Sequence, residues 1–363
     1  MSPWLCSAAN QFVTQAVHGN PRFRTIEEQK KERRQKMKLL IAGGAGYLGS
    51  ALIPKLLERQ YTVDVVDLFW FGNHLPPETG VVNADIFSLQ VSDLTGYDQV
   101  IFLAGLSNDP MAEYSPSKNF VFNAAAPAFL AYMAKKAGAR RFVYASSCSV
   151  YGYTENELYD ETKPVSSVYP YGISKLQGEQ AVMNLVDDKF SVISLRKGTA
   201  SGYSPRMRLD LIINTMFACA MRDGEVTVHN PSIWRPIISI EDATSAYVRA
   251  IEANERISGI FNVASGNYTV GEAADQVKTE IEEQLDRRVK LNINHFNDVR
   301  NYKVSFEKAR NVLSFHPHHC IRSIVQNLIR NMDKFSDWDN PLYYNIVTFK
   351  DLEARGLERA VAA

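Results

Sequence analysis

From position 38 onward, apolar residues along this 363-residue chain fall into two recurring rhythms. Short runs of aliphatic and β-branched residues ("KLLIAG", "YTVDVVD", "QVIFLAG", "RFVYASS", "FSVISLR") are continuous and too brief for helices. Such runs predict strands buried on both faces. Between them lie helical stretches: "YLGSALIPKLLERQ", an Ala-rich segment over roughly 117–138, and "YPYGISKLQGEQAVMNL". Strand and helix alternating in this way predict an α/β class fold, a doubly wound Rossmann-type parallel sheet covered by helices on both faces.

After residue 198 the rhythm loosens into turn-rich "GTASGYSPRMR", a helix near 209–222 and short strands. "PIISIEDATSAYVRAIE" and "GIFNVAS" read as a return to the main sheet. The expected organisation is a dinucleotide-binding domain over 37–198, completed by about 236–264. A smaller C-terminal substrate-binding region takes 199–235 and 265–345, and 346–363 form a tail. Residues 1–36 read as a solvated N-terminal extension. They mix isolated Trp4, Phe12 and Phe23 with a charged run, lack an apolar h-region, and carry Glu27, Glu28 and Glu32 against an acid-poor transit peptide.

Forty basic and forty acidic side chains balance, so charge gives no case for a nucleic-acid or membrane partner. No apolar run approaches the roughly 20 residues needed to span a bilayer. Cys6, Cys148, Cys219 and Cys320 are scattered without a C-x-x-C pair, which points to neither disulfides nor zinc and to a reducing, cytoplasmic setting. "HPHH" (His316, His318, His319) reads as a solvated loop, and no metal is expected.

Candidate chemistry starts at "GGAGYLG", where Gly44, Gly46 and Gly49 match G-x-G-x-x-G and Gly43, Gly46 and Gly49 match G-x-x-G-x-x-G. The pattern follows a predicted strand and opens a helix. Its amides and helix N-terminus would face a pyrophosphate. Asp67, at the end of the next strand, has the spacing of a ribose-binding acid, and "LFWFGN" after it offers no arginine for a 2′-phosphate. The expected cofactor is NAD.

In "YPYGISKLQ" a helix beginning near Pro170 puts Tyr171 and Lys175 four residues apart on one face. Tyr169 precedes a proline, which disfavours helical geometry for it. Tyr171 is the candidate acid/base and Lys175 its partner. The strand "RFVYASS" ends in Ser146 and Ser147, either of which could offer a hydroxyl to the same substrate oxygen.

Together "GGAGYLG", "ADI", "LAGLS", "ASSCSVYG" and "YGISK" closely resemble the extended short-chain dehydrogenase/reductase family, specifically its nucleotide-sugar epimerases, dehydratases and reductases, over roughly residues 38–335. The resemblance implies catalytic Tyr171, Lys175 and Ser147, with Ser146 as runner-up. It implies cofactor contacts at Gly43, Gly46, Tyr47, Leu48, Gly49, Asp67, Asp85, Ile86, Leu103, Ala104, Gly105, Tyr171 and Lys175. For the nucleotide-diphosphate sugar it implies Ser107, Ser147, Thr199, Arg208, Arg235 and Arg300, with the last two facing the diphosphate.

Departures narrow the activity. The Asp-Glu pair that follows the hydroxyl residue in 4,6-dehydratases is Cys148 and Ser149 here, so simple dehydration is disfavoured. Cys148 reads as a packed small side chain, because "GYSPRMR" lacks the histidine or lysine that accompanies a proton-moving thiol in related reductases. Thr199 replaces the usual asparagine. The expected function is C4 epimerisation through a 4-keto intermediate, with a 4-ketoreductase or 4-dehydrogenase as the alternative. A non-catalytic dinucleotide-binding scaffold comes third. Surplus apolar surface in "NAAAPAFLAYMAKKAG", and family members that pair this helix with the Tyr171 helix, imply a homodimer.

Overall fold

The computed structural model describes residues 37–165, 167–295 and 300–357; the expected N-terminal extension lies outside the described residues. The main sheet has seven strands: β1 (Lys38–Ala42), β2 (Thr62–Asp67), β3 (Gly80–Asn83), β4 (Gln99–Phe102), β5 (Arg141–Ser147), β6 (Ser191–Lys197) and β7 (Gly259–Val263). They lie in the order β7-β6-β5-β4-β1-β2-β3, and every pairing is parallel. Strand order reverses between β1 and β4, which opens a crevice at the carboxyl ends of the strands.

Alternation along each strand sends side chains to two cores. Ile41, Val65, Val143 and Leu195 pack on one face with the Tyr47–Glu58 and Ile240–Glu252 helices. Leu40, Val66, Phe142 and Val192 pack on the other with the Ala126–Lys136 and Pro170–Met183 helices. Burial on both faces is why these strands read as unbroken apolar runs.

Two expectations need correction. The strand Trp234–Ser239 does not rejoin the main sheet: it lies between Thr199–Ser201 and Gly266–Thr269 in a separate three-stranded sheet. Only the following helix and β7 complete the dinucleotide-binding half. The segment taken as a tail contains a helix, Asn345–Ala354, whose Phe349 is fully buried against Leu106 and Met111. Its buried positions 345, 348, 349 and 352 follow helical spacing.

"HPHH" does not float free, since the His318 and His319 amides donate to the Asp242 carboxylate and the His319 ring joins them at 2.9 Å. Among the described residues no three His, Cys, Asp or Glu side chains converge as a metal site, and no helix is long and apolar enough to cross a membrane.

Candidate active site

The glycine loop joins β1 to the Tyr47–Glu58 helix. Gly43 adopts φ +78°, and a Cβ there would lie 2.4 Å from the Ala104 nitrogen, so the turn requires glycine. Asp67 stabilises this loop: its carboxylate accepts from the Ala45 and Phe69 amides, each at 2.9 Å. Burial still holds the carboxyl above its usual range, with the two amides pulling it down.

One cleft runs from this loop to the end of β6. It is lined by Gly43, Gly46, Tyr47, Leu48, Gly49, Asp67, Asp85 and Ile86, then by Leu103, Ala104, Gly105 and Ser107. Beyond them come Ser147, Tyr171, Lys175, Thr199, Arg208, Arg235 and Arg300. The structure therefore brings every expected site residue to one cavity.

At the catalytic end, Tyr169 is the extended N-cap residue (φ −93°) and the helix starts at Pro170, as the proline predicts. Tyr169 instead lies under the Arg300 guanidinium, 5.1 Å away. The Ser147 hydroxyl donates to the Ser149 hydroxyl at 3.1 Å and shares the cleft wall with Tyr171. Ser146 is fully buried with its hydroxyl unpartnered, and alternation along β5 turns it to the opposite face, so geometry favours Ser147. Gly178 lets this helix sit close to the sheet, because a Cβ there would lie 2.3 Å from the Asn123 carbonyl oxygen. Lys175 then reaches the Ala145 carbonyl at 3.0 Å.

Electrostatics around this group are those of a buried site. Burial, followed by the Lys197 charge, brings the Lys175 amine down to about 7. Burial and the Asp109 carboxylate push the Tyr171 phenol upward, with the nearby Ser147 hydroxyl acting the other way. Tyr171 is therefore a proton donor at neutral pH in this state. Cys148 is 1% exposed, donates to the Arg196 carbonyl at 3.1 Å, and burial pushes its thiol up, so the packed reading fits.

Arg206, Asp210 and Asn345 escaped the sequence reading, and they meet the expected residues in the cleft wall. Arg208 makes a two-pronged pair with Asp210 (2.8 and 3.0 Å) and donates to Ser107 at 2.8 Å. Asn345 donates to Ser107 at 3.1 Å and accepts from Arg206. Arg206 is 2% exposed, stacks on Phe71 at 3.7 Å, and its Nε and Nη1 have no partner among the described residues. Burial and Arg208 lower its guanidinium to about 9. Arg300 pairs with Asp109 at 2.6 Å, and Arg235 stacks on Tyr302 at 5.4 Å. The motif "SPRMR" drew attention to Arg208, but nothing local signals which side chain Arg206 meets.

These features fit an anionic dinucleotide. Gly43 leaves no room for a side chain, and a helix N-terminus faces the cleft. Among the described residues the buried Asp85 Oδ2 lacks a partner, and so do two buried guanidinium nitrogens of Arg206. An adenine amino group and a pyrophosphate would satisfy them.

Comparison with known proteins agrees. UDP-glucuronic acid decarboxylase 3 of Arabidopsis thaliana is 27% identical over 299 residues, covering 77% of this chain and 84% of the relative. UDP-glucose 4-epimerase of Corynebacterium glutamicum is 25% identical over 312 residues, covering 80% and 94%. Among solved structures, MoeE5 in complex with UDP-glucuronic acid and NAD superposes with a TM-score of 0.73 at 24% identity, covering 82% of this chain and 99% of that one. The UDP-glucose 4-epimerase of Thermotoga maritima gives 0.74 at 20% identity, covering 83% and 100%. The model of the NAD dependent epimerase/dehydratase family matches residues 39–264, well over half the chain, and the protein belongs to that family of NAD-dependent enzymes.

Proposed function

We propose that this protein is a nucleotide-sugar 4-epimerase that oxidises C4 and returns the hydride to the opposite face of a 4-keto intermediate. The observation that carries this reading is the convergence of Ser147, Tyr171 and Lys175 on one cleft, with Lys175 buried one helical turn from Tyr171 and bonded to the Ala145 carbonyl. When bound, NAD supplies the hydride acceptor and, later, the donor. Gly43, Gly46, Gly49, Asp67, Asp85 and Arg206 would hold it. With its phenol ionised by the charges of Lys175 and the bound nicotinamide, Tyr171 would take the C4 hydroxyl proton and give it back, while Ser147 donates to the same oxygen as it becomes a ketone. Arg235 and Arg300 suit the diphosphate, and Ser107, Thr199 and Arg208 line the path toward the sugar. Residues 199–235 and 265–345 would form most of the substrate half.

Cys148 and Ser149 offer no carboxylate for eliminating water, which favours redox at C4 alone. The same triad serves the second reading, a 4-ketoreductase with exchanging cofactor. We also propose a cytoplasmic homodimer; partly exposed Tyr132 on the Ala126–Lys136 helix supports a partner there. The test incubates purified protein with UDP-, GDP-, CDP- and dTDP-sugars, with and without NADH, and follows products by NMR. C4 epimers formed without added cofactor support the epimerase. Reduction of 4-ketosugars only with added NADH supports the reductase, and no C4 conversion in either arm refutes both.

A further inference from the structure

Lys197 differs from the other cations of the cleft. Arg208 is paired with Asp210, Arg300 with Asp109, and Lys175 with a carbonyl. The Lys197 ammonium has no hydrogen bond or ion pair among the described residues. It ends β6, and its Cα is the register partner of Ser147 across the β5–β6 pair. Register partners in neighbouring strands present side chains to the same face, so Lys197 and the candidate catalytic serine leave the sheet on one side. Both residues line the cleft together with Tyr171, Cys148 and Thr199.

The charges around it favour proton exchange. Arg208 acts on Lys197 from the loop after β6, Cys148 from the turn after β5, and Lys175 lies within reach on the Pro170–Met183 helix. Burial and Arg208 bring the amine down to about 8, so a neutral fraction exists near physiological pH. Cys148, the sequence's candidate for such work, is locked as a buried thiol on the Arg196 carbonyl.

We propose that Lys197 is a second acid/base of this site, moving the proton on the carbon adjacent to the C4 ketone of a bound nucleotide sugar. The inference rests on the C4 reading, because that C–H is acidic only beside a ketone. The neutral amine takes the proton from C3 or C5 and becomes an ammonium. The C–H electron pair forms the enolate double bond, and the ketone oxygen becomes an oxyanion facing the Ser147 and Tyr171 hydroxyls. Return of the proton to either face restores the ketone, so no oxidant or reductant is consumed. The protein would thus exchange or invert a centre next to C4 as well as C4 itself.

The test incubates the NAD-loaded protein with UDP-4-keto-6-deoxyglucose in D2O and follows loss of the H3 and H5 signals by NMR, against an enzyme-free control. Wild type should exchange one of these protons, with a rate that rises through about pH 8. Lys197→Met should slow exchange by about 10²–10⁴-fold. Lys197→Arg keeps the charge but cannot act as a base at these pH values, and should stay slow. Rapid exchange in either variant, or a wild-type rate that is flat with pH, overturns the proposal. NADH-dependent reduction of the same ketone by wild type separates the two readings. Reduction without exchange overturns the Lys197 role alone, and neither reduction nor exchange overturns the C4 reading beneath it.

Discussion

Two lysines in one cleft, Lys175 buried and Lys197 partly buried, should give the cofactor-stripped protein a stability that climbs with pH. A free lysine titrates at 10.5, whereas Lys175 is held at about 7 and Lys197 at about 8. Between those values and 10.5 the unfolded chain binds more protons than the folded one, so stability rises with pH and is lowest below about 7. One proton of difference is worth about 1.4 kcal/mol per pH unit. Integrated from about pH 7 to about pH 8.5, this gives roughly 1.5 kcal/mol for Lys175 and roughly 1 kcal/mol for Lys197. Stopping there avoids Cys148, whose raised thiol acts in the opposite direction at higher pH. Urea unfolding of stripped protein at the two pH values measures the rise. Lys175→Met should remove the larger share, Lys197→Met the smaller, and the double variant should be nearly flat. A wild-type stability that does not rise, or a Lys175→Met protein that keeps the full rise, would refute the burial argument.

Three further outcomes are expected. Tyr171→Phe should lower kcat by about 10²–10⁴-fold with NAD content preserved, whereas Tyr169→Phe, which loses only a ring under Arg300, should stay within a few-fold; equal losses sink the assignment. Asp67 at the ribose end should make NAD bind far more tightly than NADP by calorimetry on stripped protein, and equal affinities contradict that role. Light scattering should give twice the 40.8 kDa chain mass, with Tyr132→Glu producing monomers; a wild-type monomer ends the dimer proposal. Tyr132 is a better probe than Phe129, whose ring packs 5.4 Å from Phe87 of its own chain.

What could be read from the sequence was local. The glycine loop, Asp67 and the Tyr171–Lys175 spacing each lie within one strand–turn–helix unit, where 3.6-residue geometry fixes who faces whom. β3 was missed because "GVVN" is four residues at a sheet edge, with all three residues after Gly80 exposed and no core face to betray it. Lys197 was hidden differently. It sits in an apolar run, and only the β5–β6 register shows that it borders Ser147. Arg206 and Asn345 meet across 139 residues, a separation no periodicity reports. The Asn345–Ala354 helix did carry a readable signal, its apolar and small residues at helical spacing, but its shortness made it look like a tail.

Asn345 connects two segments of the pocket wall: Ser107 after β4, and Arg206 and Asp210 after the Thr199–Ser201 strand. During synthesis the ribosome delivers it long after the glycine loop, Asp67 and the catalytic helix have emerged, and N-terminal units fold first. The nascent protein can thus assemble its sheet while Arg206 still waits for the amide that holds it. This wall of the cleft becomes one of the last parts to order, so a deletion of the Asn345–Ala354 helix would expose Leu106 and Met111 and leave Arg206 without its Asn345 partner.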